Sequence, residues 1–266
     1  MRRLKALGIL AATATVATAT VATAEPANQS FAPDSGYSNI ASIGLITTMG
    51  PTGLFQNATS GILPKNAFSV ESCMAFKENN GDHFESNGLL VTYGVTDWLE
   101  ISGFALIAYN LDPARAGDSH LEMGQFNARA RLVREADAMP EVTIGGIVGF
   151  GDDPLVAHSI FLAASKGFAL CDGDFMRSFR LHGGIRQSWL ELGNEDVTTA
   201  FVGAELEIIK NLFLVGEVNT RDDLFSKTPW SAGLQYKSNS FGFSAAVLQA
   251  ANETRETYYV GIGVSY

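Results

Sequence analysis

Charged side chains that alternate with apolar ones are the residues of this sequence most able to do chemistry. Arg129 and Arg131 are separated by a single alanine, and Glu205 and Glu207 by a single leucine. Residues two apart point to the same face of a strand, so each pair of charges would share one face. Charges gathered on one face can bind or steer a polar solute. The full predicted constellation is Arg129, Arg131, Arg180, His182, Arg186, Glu71, Glu100, Glu205, Glu207 and Glu217.

Catalytic chemistry finds little support among the histidines and cysteines. The neighbours His158 and Ser159 face opposite sides of a strand, so they cannot by themselves form a base–nucleophile pair. A triad assembled from separate strands stays open, but we expect no catalytic residue and no enzymatic activity. Cys73 and Cys171 are expected to be free thiols, and two cysteines at this spacing give no metal site. We therefore predict no cofactor and no bound metal.

Twelve segments in which apolar and polar residues alternate supply the strands that would position these charges. In the fourth segment, Phe126 and Ala128 take one face and Asn127 and Arg129 take the other. Segments of about ten residues between turn-rich stretches are typical of strands in an outer-membrane barrel. The predicted strands are 67–76, 88–95, 98–109, 122–134, 141–150, 156–165, 177–187, 197–207, 212–219, 230–237, 241–249 and 257–266.

The connections between these strands alternate in length. Those after strands 2, 4, 8 and 10 are short, whereas those after strands 1, 3, 7 and 9 are longer and more polar, as at 77–87 and 220–229. Short periplasmic turns and longer outer loops are the pattern of a barrel, and an even number of strands leaves both termini in the periplasm. The connection 167–176 after strand 6 is long for a periplasmic turn. Ten or fourteen strands therefore stay open as alternatives to twelve.

The composition indicates that these strands close on themselves. Beyond residue 24 no run reaches the roughly 18 apolar residues that a membrane helix needs, yet only 17% of the residues are charged. A membrane protein without helices must be a closed barrel, because lipid offers no partner to open backbone groups. We predict an all-β fold, a transmembrane antiparallel up-and-down barrel over residues 67–266, in contact with bacterial outer-membrane lipid. The net charge of −10 argues against nucleic acid as a partner.

The first 66 residues precede the first predicted barrel strand. Residues 1–24 combine a positive start, an Ala-, Val- and Leu-bearing stretch and an A-x-A cleavage site at Ala22 and Ala24 before Glu25, which predicts a cleaved signal peptide. A membrane anchor is the competing interpretation, but the stretch is rich in threonine and only moderately hydrophobic. Residues 25–66 form a periplasmic leader, an additional edge segment of the barrel, or a plug that enters the lumen.

Aromatic residues mark both the chain end and the predicted strand ends. Tyr258, Val260, Ile262, Val264 and Tyr266 share one face of the final strand. This pattern resembles the C-terminal targeting signal of Gram-negative outer-membrane proteins, which implies the barrel-assembly machinery as a partner. A further set lies at strand ends, where the aromatic girdles of such barrels are found. That set is Trp98, Tyr109, Trp230 and Tyr236.

Inside a barrel, the charged constellation suggests two functions. It must point inward, because arginine on the lipid face costs about 2–4 kcal/mol at the bilayer midplane. Basic residues of strands 4 and 7 would then lie on different sectors from the acidic residues, producing a transverse field that selects solutes. We predict a small pore or conduit for a polar solute or glycan. The alternative is a structural or adhesive barrel whose lumen is occluded by Arg–Glu pairs.

Three groups of short phrases resemble the outer-membrane barrel family associated with bacterial exopolysaccharide production. The groups are Gly44–Ile46 with Pro51–Leu54 and Ile62–Lys65, then Ala163–Lys166 with Leu181–Gly184, and finally Leu214–Glu217 with Ala232–Tyr236. The resemblance implies a barrel linked to secretion or surface assembly of polysaccharide, and it supplies no catalytic residues. The chain departs from the family at Gly53, where alanine is usual, and it is short enough to correspond to one barrel unit.

Overall fold

Twelve strands make up most of the part of the chain that the computed structural model describes. The described residues are 45, 47, 53–79, 82–110, 120–151, 157–170, 174–190, 196–221, 227–238, 240–249 and 256–266. In chain order the strands are β1 (Phe68–Asn79), β2 (Asp82–Thr96), β3 (Leu99–Asn110), β4 (His120–Val133), β5 (Glu141–Gly151), β6 (Ala157–Ala169), β7 (Ser178–Leu190), β8 (Asp196–Ile209), β9 (Leu212–Asn219), β10 (Trp230–Lys237), β11 (Phe241–Gln249) and β12 (Thr257–Ser265).

The strands form a closed antiparallel barrel. Each strand pairs with its neighbours in sequence, and β1 pairs with β12 to complete the ring. Two backbone hydrogen bonds extend this seam: the Phe68 N–H donates to the Tyr266 carbonyl at 3.0 Å, and the Tyr266 N–H donates to Phe68 at 2.9 Å. Closure leaves no edge strand with unpaired N–H and C=O groups. The predicted fold class and strand number are confirmed.

The outer surface of the wall is apolar. Leu89, Leu181 and Ile262 are 49%, 41% and 50% exposed, and they belong to a set of large apolar side chains around the barrel. Their neighbours in sequence are buried on the inner side, as Tyr259 is between exposed Tyr258 and Val260. An apolar surface of this extent on a closed barrel belongs in lipid, which places the protein in the bacterial outer membrane. Within the described ranges no helix is long and apolar enough to span a membrane.

One predicted connection is wrong. The stretch 77–87 was expected to be a long outer loop, but β1 continues to Asn79 and β2 begins at Asp82, with these two residues paired in register. The alternation of apolar and polar residues did not reveal these strand ends. A strand that projects beyond the lipid keeps its backbone hydrogen bonds without needing an apolar face, so its residues can all be polar. β6 also extends past its predicted end, to Ala169. The predicted signal peptide with Ala22, Ala24 and Glu25, and most of 25–52, lie outside the described residues.

Prediction: a charge on the outer face in mid-strand will destabilise the barrel. Leu162→Arg places a guanidinium on the lipid side of β6, where Leu162 is 41% exposed. The free energy of unfolding should fall by about 2–4 kcal/mol. Urea titration in lipid vesicles, with the heat-dependent gel shift as the measure of folding, checks the value. Phe175→Arg is the matched control, because Phe175 lies in the turn after β6; equal losses for both variants would contradict the membrane placement.

Candidate functional site in the barrel lumen

Residues 53–64, which we call the inner segment, lie against the inner face of the wall. Leu54, Phe55 and Ser60 are fully buried, and Asn57 is 1% exposed. An isolated bridge between Gly53 and Ala58 folds the first part of the segment into a tight turn. The segment bonds to inward-facing side chains of β3, β5, β9 and β10. It is therefore packed within the lumen.

The chain passes from the inner segment to β1 at Gly94. The Asn66 N–H donates to the Gly94 carbonyl at 2.7 Å, and the Gly94 N–H donates to Ala67 at 2.9 Å. A Cβ atom on Gly94 would lie 2.0 Å from the carbonyl oxygen of Pro64. The close approach of these two backbones therefore requires glycine at this position.

A buried ion pair contacts the end of the inner segment. Arg129 donates through Nε to Glu100 Oε1 at 2.9 Å, and both side chains are 2% exposed. Arg129 Nη1 also donates to the Thr59 carbonyl at 3.2 Å, while the Leu63 N–H donates to Glu100 Oε2 at 2.8 Å. Each charge thus has a partner in the wall and a partner in the segment.

Glu141 is a second point of attachment. Its Oε1 lies 2.6 Å from Arg131 Nε, and its Oε2 lies 3.2 Å from Arg180 Nη2. Ser60 Oγ donates to Glu141 Oε2 at 3.0 Å, and the Ser60 carbonyl accepts from Thr143 Oγ1 at 2.6 Å. As at Glu100, the carboxylate binds the segment and is neutralised by arginines of the wall.

Glu217 is the third point of attachment, and its hydrogen bonds come from neutral groups. The backbone N–H groups of Phe55 and Gln56 donate to Oε1 at 3.0 Å and 2.5 Å. Asn57 Nδ2 donates to Oε2 at 2.8 Å, and Ser231 Oγ donates to Oε1 at 2.7 Å. The carboxylate is 5% exposed. The segment therefore satisfies this buried charge.

An apolar cluster fills the lumen beside these polar contacts. Leu54 and Phe55 of the inner segment pack into it, and the Phe55 and Tyr259 rings meet edge to face with centroids 6.1 Å apart. The wall side chains of the cluster come mainly from the strands flanking the seam. They are Cys73, Leu90, Phe104, Val215, Ala246, Leu248 and Tyr259. The cluster thus lies around the seam, whereas most of the ion pairs join strands from β3 to β8.

The predicted charge constellation lies on the inner face of the barrel. All ten of its residues have the inward-facing parity, and six are buried: Glu71, Glu100, Arg129, His182, Glu205 and Glu217. The predicted separation of the two signs into sectors is wrong, because cross-strand pairs such as Arg129–Glu100 put opposite charges side by side. Four partners were missed. Glu141, at the first residue of β5, and Lys237, whose Nζ lies 2.6 Å from Glu205, share the inward parity of their strands, which is the signal that could have found them. Glu135, 3.0 Å from Arg180, and Arg177, 3.8 Å from Glu207, lie in connections between strands, where no such parity exists.

A serine–histidine–carboxylate row crosses β6, β7 and β8. Ser165 Oγ lies 2.8 Å from His182 Nδ1, and His182 Nε2 lies 3.8 Å from Glu205 Oε2. Glu205 is bound by Lys237, and Ser165 faces the Ser60 N–H of the inner segment at 3.4 Å. The 3.8 Å separation is beyond hydrogen-bond distance, so Glu205 does not orient the imidazole as a triad acid would. No group of three or more His, Cys, Asp or Glu able to hold a metal occurs among the described residues.

The described residues of the predicted girdle and targeting signal are mostly exposed. Trp230 and Tyr236 are partly exposed at opposite ends of β10, and Tyr236 contacts Phe241 with ring centroids 6.4 Å apart. Trp98 is partly buried in the turn before β3, and the Tyr109 side chain lies outside the described set. Of the predicted targeting residues, Tyr258, Val260, Ile262 and Tyr266 are exposed and Val264 is partly buried. Cys73 is buried and free, whereas Cys171 lies outside the described residues.

The closed wall with its apolar exterior defines a β-barrel of the outer-membrane class. Among solved structures, a KdgM porin gives a TM-score of 0.53 at 11% identity, covering 74% of this chain and 99% of that chain. The KdgM porin in complex with disordered oligogalacturonate gives 0.49 at 12% identity, covering 74% and 98%. The outer membrane protein Omp33 of Acinetobacter baumannii gives 0.41 at 8% identity, covering 76% and 98%. No protein-family model and no curated protein matches the sequence. At these identities the likeness shows the fold.

Prediction: removing one partner of the Glu100–Arg129 pair will cost far more than removing both. Arg129→Met leaves a buried carboxylate without its cation, so the free energy of unfolding should fall by about 3–5 kcal/mol. The double variant Glu100→Gln, Arg129→Met should recover most of this loss. Lys210→Met, at an exposed turn, is the matched control and should have little effect. Urea unfolding in vesicles measures all three, and a double variant no better than the single one would contradict the pairing.

Proposed function

We propose that the protein is an outer-membrane pore for polar solutes, with a glycan as the preferred cargo, and that the inner segment closes its lumen at rest. The observation that carries this proposal is the attachment of residues 53–64 to Glu100, Glu141 and Glu217 of the wall. Most of these contacts are hydrogen bonds, which water or a solute can replace. A segment held in this way can leave the lumen and return.

The charges of the wall support a displaceable segment. Glu100 keeps Arg129 as a partner, and Glu141 keeps Arg131 and Arg180, when the segment is absent. Lys237 of β10 likewise neutralises Glu205 of β8. A buried carboxylate that lost its only partner would oppose displacement by several kcal/mol. Because these ion pairs lie within the wall, removal of the segment leaves most of the lumen neutralised.

The glycan preference rests on the resemblance to the exopolysaccharide-associated family. Two of its three groups of phrases form hairpins in the structure. Ala163–Lys166 pairs residue by residue with Leu181–Gly184 across β6 and β7. Leu214–Gly216 pairs with Ala232–Leu234 across β9 and β10, and Glu217 is opposite Ser231. The phrases that carry the resemblance therefore include Ser165, His182 and Glu217, which line the lumen, and this supports a shared use of the interior.

The proposal includes the fate of both chain ends. Residues 1–24 would be removed as a signal peptide, with cleavage after Ala24, and residues 25–66 would form a leader whose last part is the inner segment. The exposed face of β12 with Tyr266 would be recognised by the barrel-assembly machinery. The protein would be non-enzymatic, with the lumen charges acting on the passage of solute.

The second candidate function is a structural or adhesive barrel that never opens. The burial of Leu54 and Phe55 in the apolar cluster favours it, because displacing them exposes apolar surface. The two functions differ in one measurable property, the ion conductance of the barrel once the inner segment is loosened.

Prediction: Gly94→Val will raise the open probability of the pore. The new side chain collides with the Pro64 carbonyl and displaces the end of the inner segment. Single-channel recording in planar bilayers should show frequent openings for the variant and rare ones for the unaltered protein. Gly103→Val is the matched control, because a Cβ at Gly103 meets nothing within 4 Å.

A reversible crosslink provides the decisive comparison. Ser60→Cys with Ser165→Cys, added to Gly94→Val in a background where Cys73 and Cys171 are serine, joins the segment to β6 where the two residues are in contact. Oxidation should silence the conductance and reductant should restore it. A folded Gly94→Val barrel that never conducts would reject the pore and leave the closed barrel as the function.

A further inference from the structure

The turn 54–57 of the inner segment occupies a cradle in the wall formed by Glu217, Asn219, Ser231 and Gln235 on β9 and β10. These four side chains are 5%, 5%, 2% and 0% exposed. Each of them bonds to the turn or to the Glu217 carboxylate. Buried polar side chains on neighbouring strands that converge on one short stretch of chain make a built recognition site.

The cradle recognises the polar edge of the turn. Glu217 accepts from two backbone N–H groups and from Asn57 Nδ2. Asn219 Oδ1 accepts from Asn57 Nδ2 at 2.9 Å, and Asn219 Nδ2 donates to Gln56 Oε1 at 3.2 Å. Gln235 Nε2 donates to the Leu54 carbonyl at 2.9 Å. The turn thus presents several donors and two acceptors, all of them uncharged.

The other side of the same turn is apolar. Leu54 and Phe55 belong to one apolar cluster with Val215, Leu248 and Tyr259 of the wall, and the Phe55 ring contacts the Tyr259 ring. The occupant of the cradle therefore has one edge of uncharged hydrogen-bonding groups and one apolar face. A glucopyranose ring has a similar division, because its ring hydroxyl groups at C2, C3 and C4 are equatorial and its axial C–H groups form apolar faces that can pack on aromatic rings.

The charge of the cradle selects among saccharides. Among the described residues no basic side chain lies within 4.0 Å of Glu217, and Arg186 interacts with it only at longer range. When the turn leaves, the carboxylate needs new hydrogen-bond donors, since an unsatisfied buried charge is costly. A neutral sugar supplies them through its hydroxyl groups. A uronic acid brings a second negative charge to the same place and is repelled.

We propose that this cradle is the solute-binding site of the lumen, that it takes a neutral saccharide, and that the turn 54–57 is an internal mimic of that ligand. This inference rests on the proposed function, because it identifies which solute displaces the segment. The Glu217 carboxylate is the specificity-determining group. Of the three carboxylates that hold the segment, it is the one bound by neutral donors, so it is the one that a neutral ligand must satisfy.

The test measures binding and conductance on the same preparations. Maltotriose, a neutral trisaccharide, and trigalacturonate, an acidic one, are titrated by calorimetry into detergent-solubilised Gly94→Val protein. Maltotriose should bind more tightly than trigalacturonate by at least about tenfold, and more tightly to Gly94→Val than to the unaltered protein, where the turn competes. Glu217→Gln in the Gly94→Val background should weaken maltotriose by about tenfold, because hydrogen bonds to a charged acceptor are the stronger kind.

Two further variants keep the outcome clear. Glu256→Gln removes the same charge at an exposed position before β12 and should leave binding unchanged. Asn57→Ala removes hydrogen bonds of the turn and leaves the cradle unchanged, so the turn should compete less and maltotriose should bind more tightly. This result can be measured even if Glu217→Gln does not fold. Equal or tighter binding of trigalacturonate, or no binding of maltotriose to a conducting protein, overturns the inference and leaves the pore standing. Binding of maltotriose to a protein that never conducts supports the site and rejects the pore.

Discussion

A charged side chain enclosed by a barrel has to find its partners among the few residues that share the interior. Lipid on the other side of the wall offers no hydrogen-bond partner. The structure meets this constraint with cross-strand pairs, in which Arg129 binds Glu100 and Lys237 binds Glu205. Glu217 meets it differently, through neutral donors from the inner segment. The position of the segment and the properties of the lumen both follow from how each carboxylate is satisfied.

Two kinds of contact hold the inner segment. The apolar cluster around Phe55 and Tyr259 contributes burial of apolar surface, which is non-directional. The carboxylates of Glu100, Glu141 and Glu217 fix the orientation of the segment, because each hydrogen bond places one donor at one position. The two kinds of contact meet at the turn 54–57, where Leu54 and Phe55 join the cluster and Glu217 accepts from the backbone.

The sequence predicted the wall much better than it predicted the interior. Alternation in stretches such as Phe126 to Leu132 is local, so it located all twelve strands and the inward parity of Arg129 and Glu205. The end of β1 at Asn79 was missed because the part of a strand that projects beyond the lipid shows no alternation of apolar and polar residues. Pairings such as Glu141 with Arg131 depend on register, which no local pattern contains. The hydrogen bond between Phe55 and Glu217 joins residues far apart in the chain, and no periodic pattern in 53–64 predicts it.

The strands differ in length around the ring. β2 contains 15 residues, whereas β9 and β10 contain 8 each. At the usual tilt and rise, 8 residues cover about 20 Å along the barrel axis, less than the apolar band of about 25 Å that outer-membrane barrels present. We expect the bilayer to thin beside these two strands, or headgroups to descend to meet them. Such thinning would make the surrounding membrane asymmetric, with its most compressed arc next to the strands that carry Glu217 and Gln235.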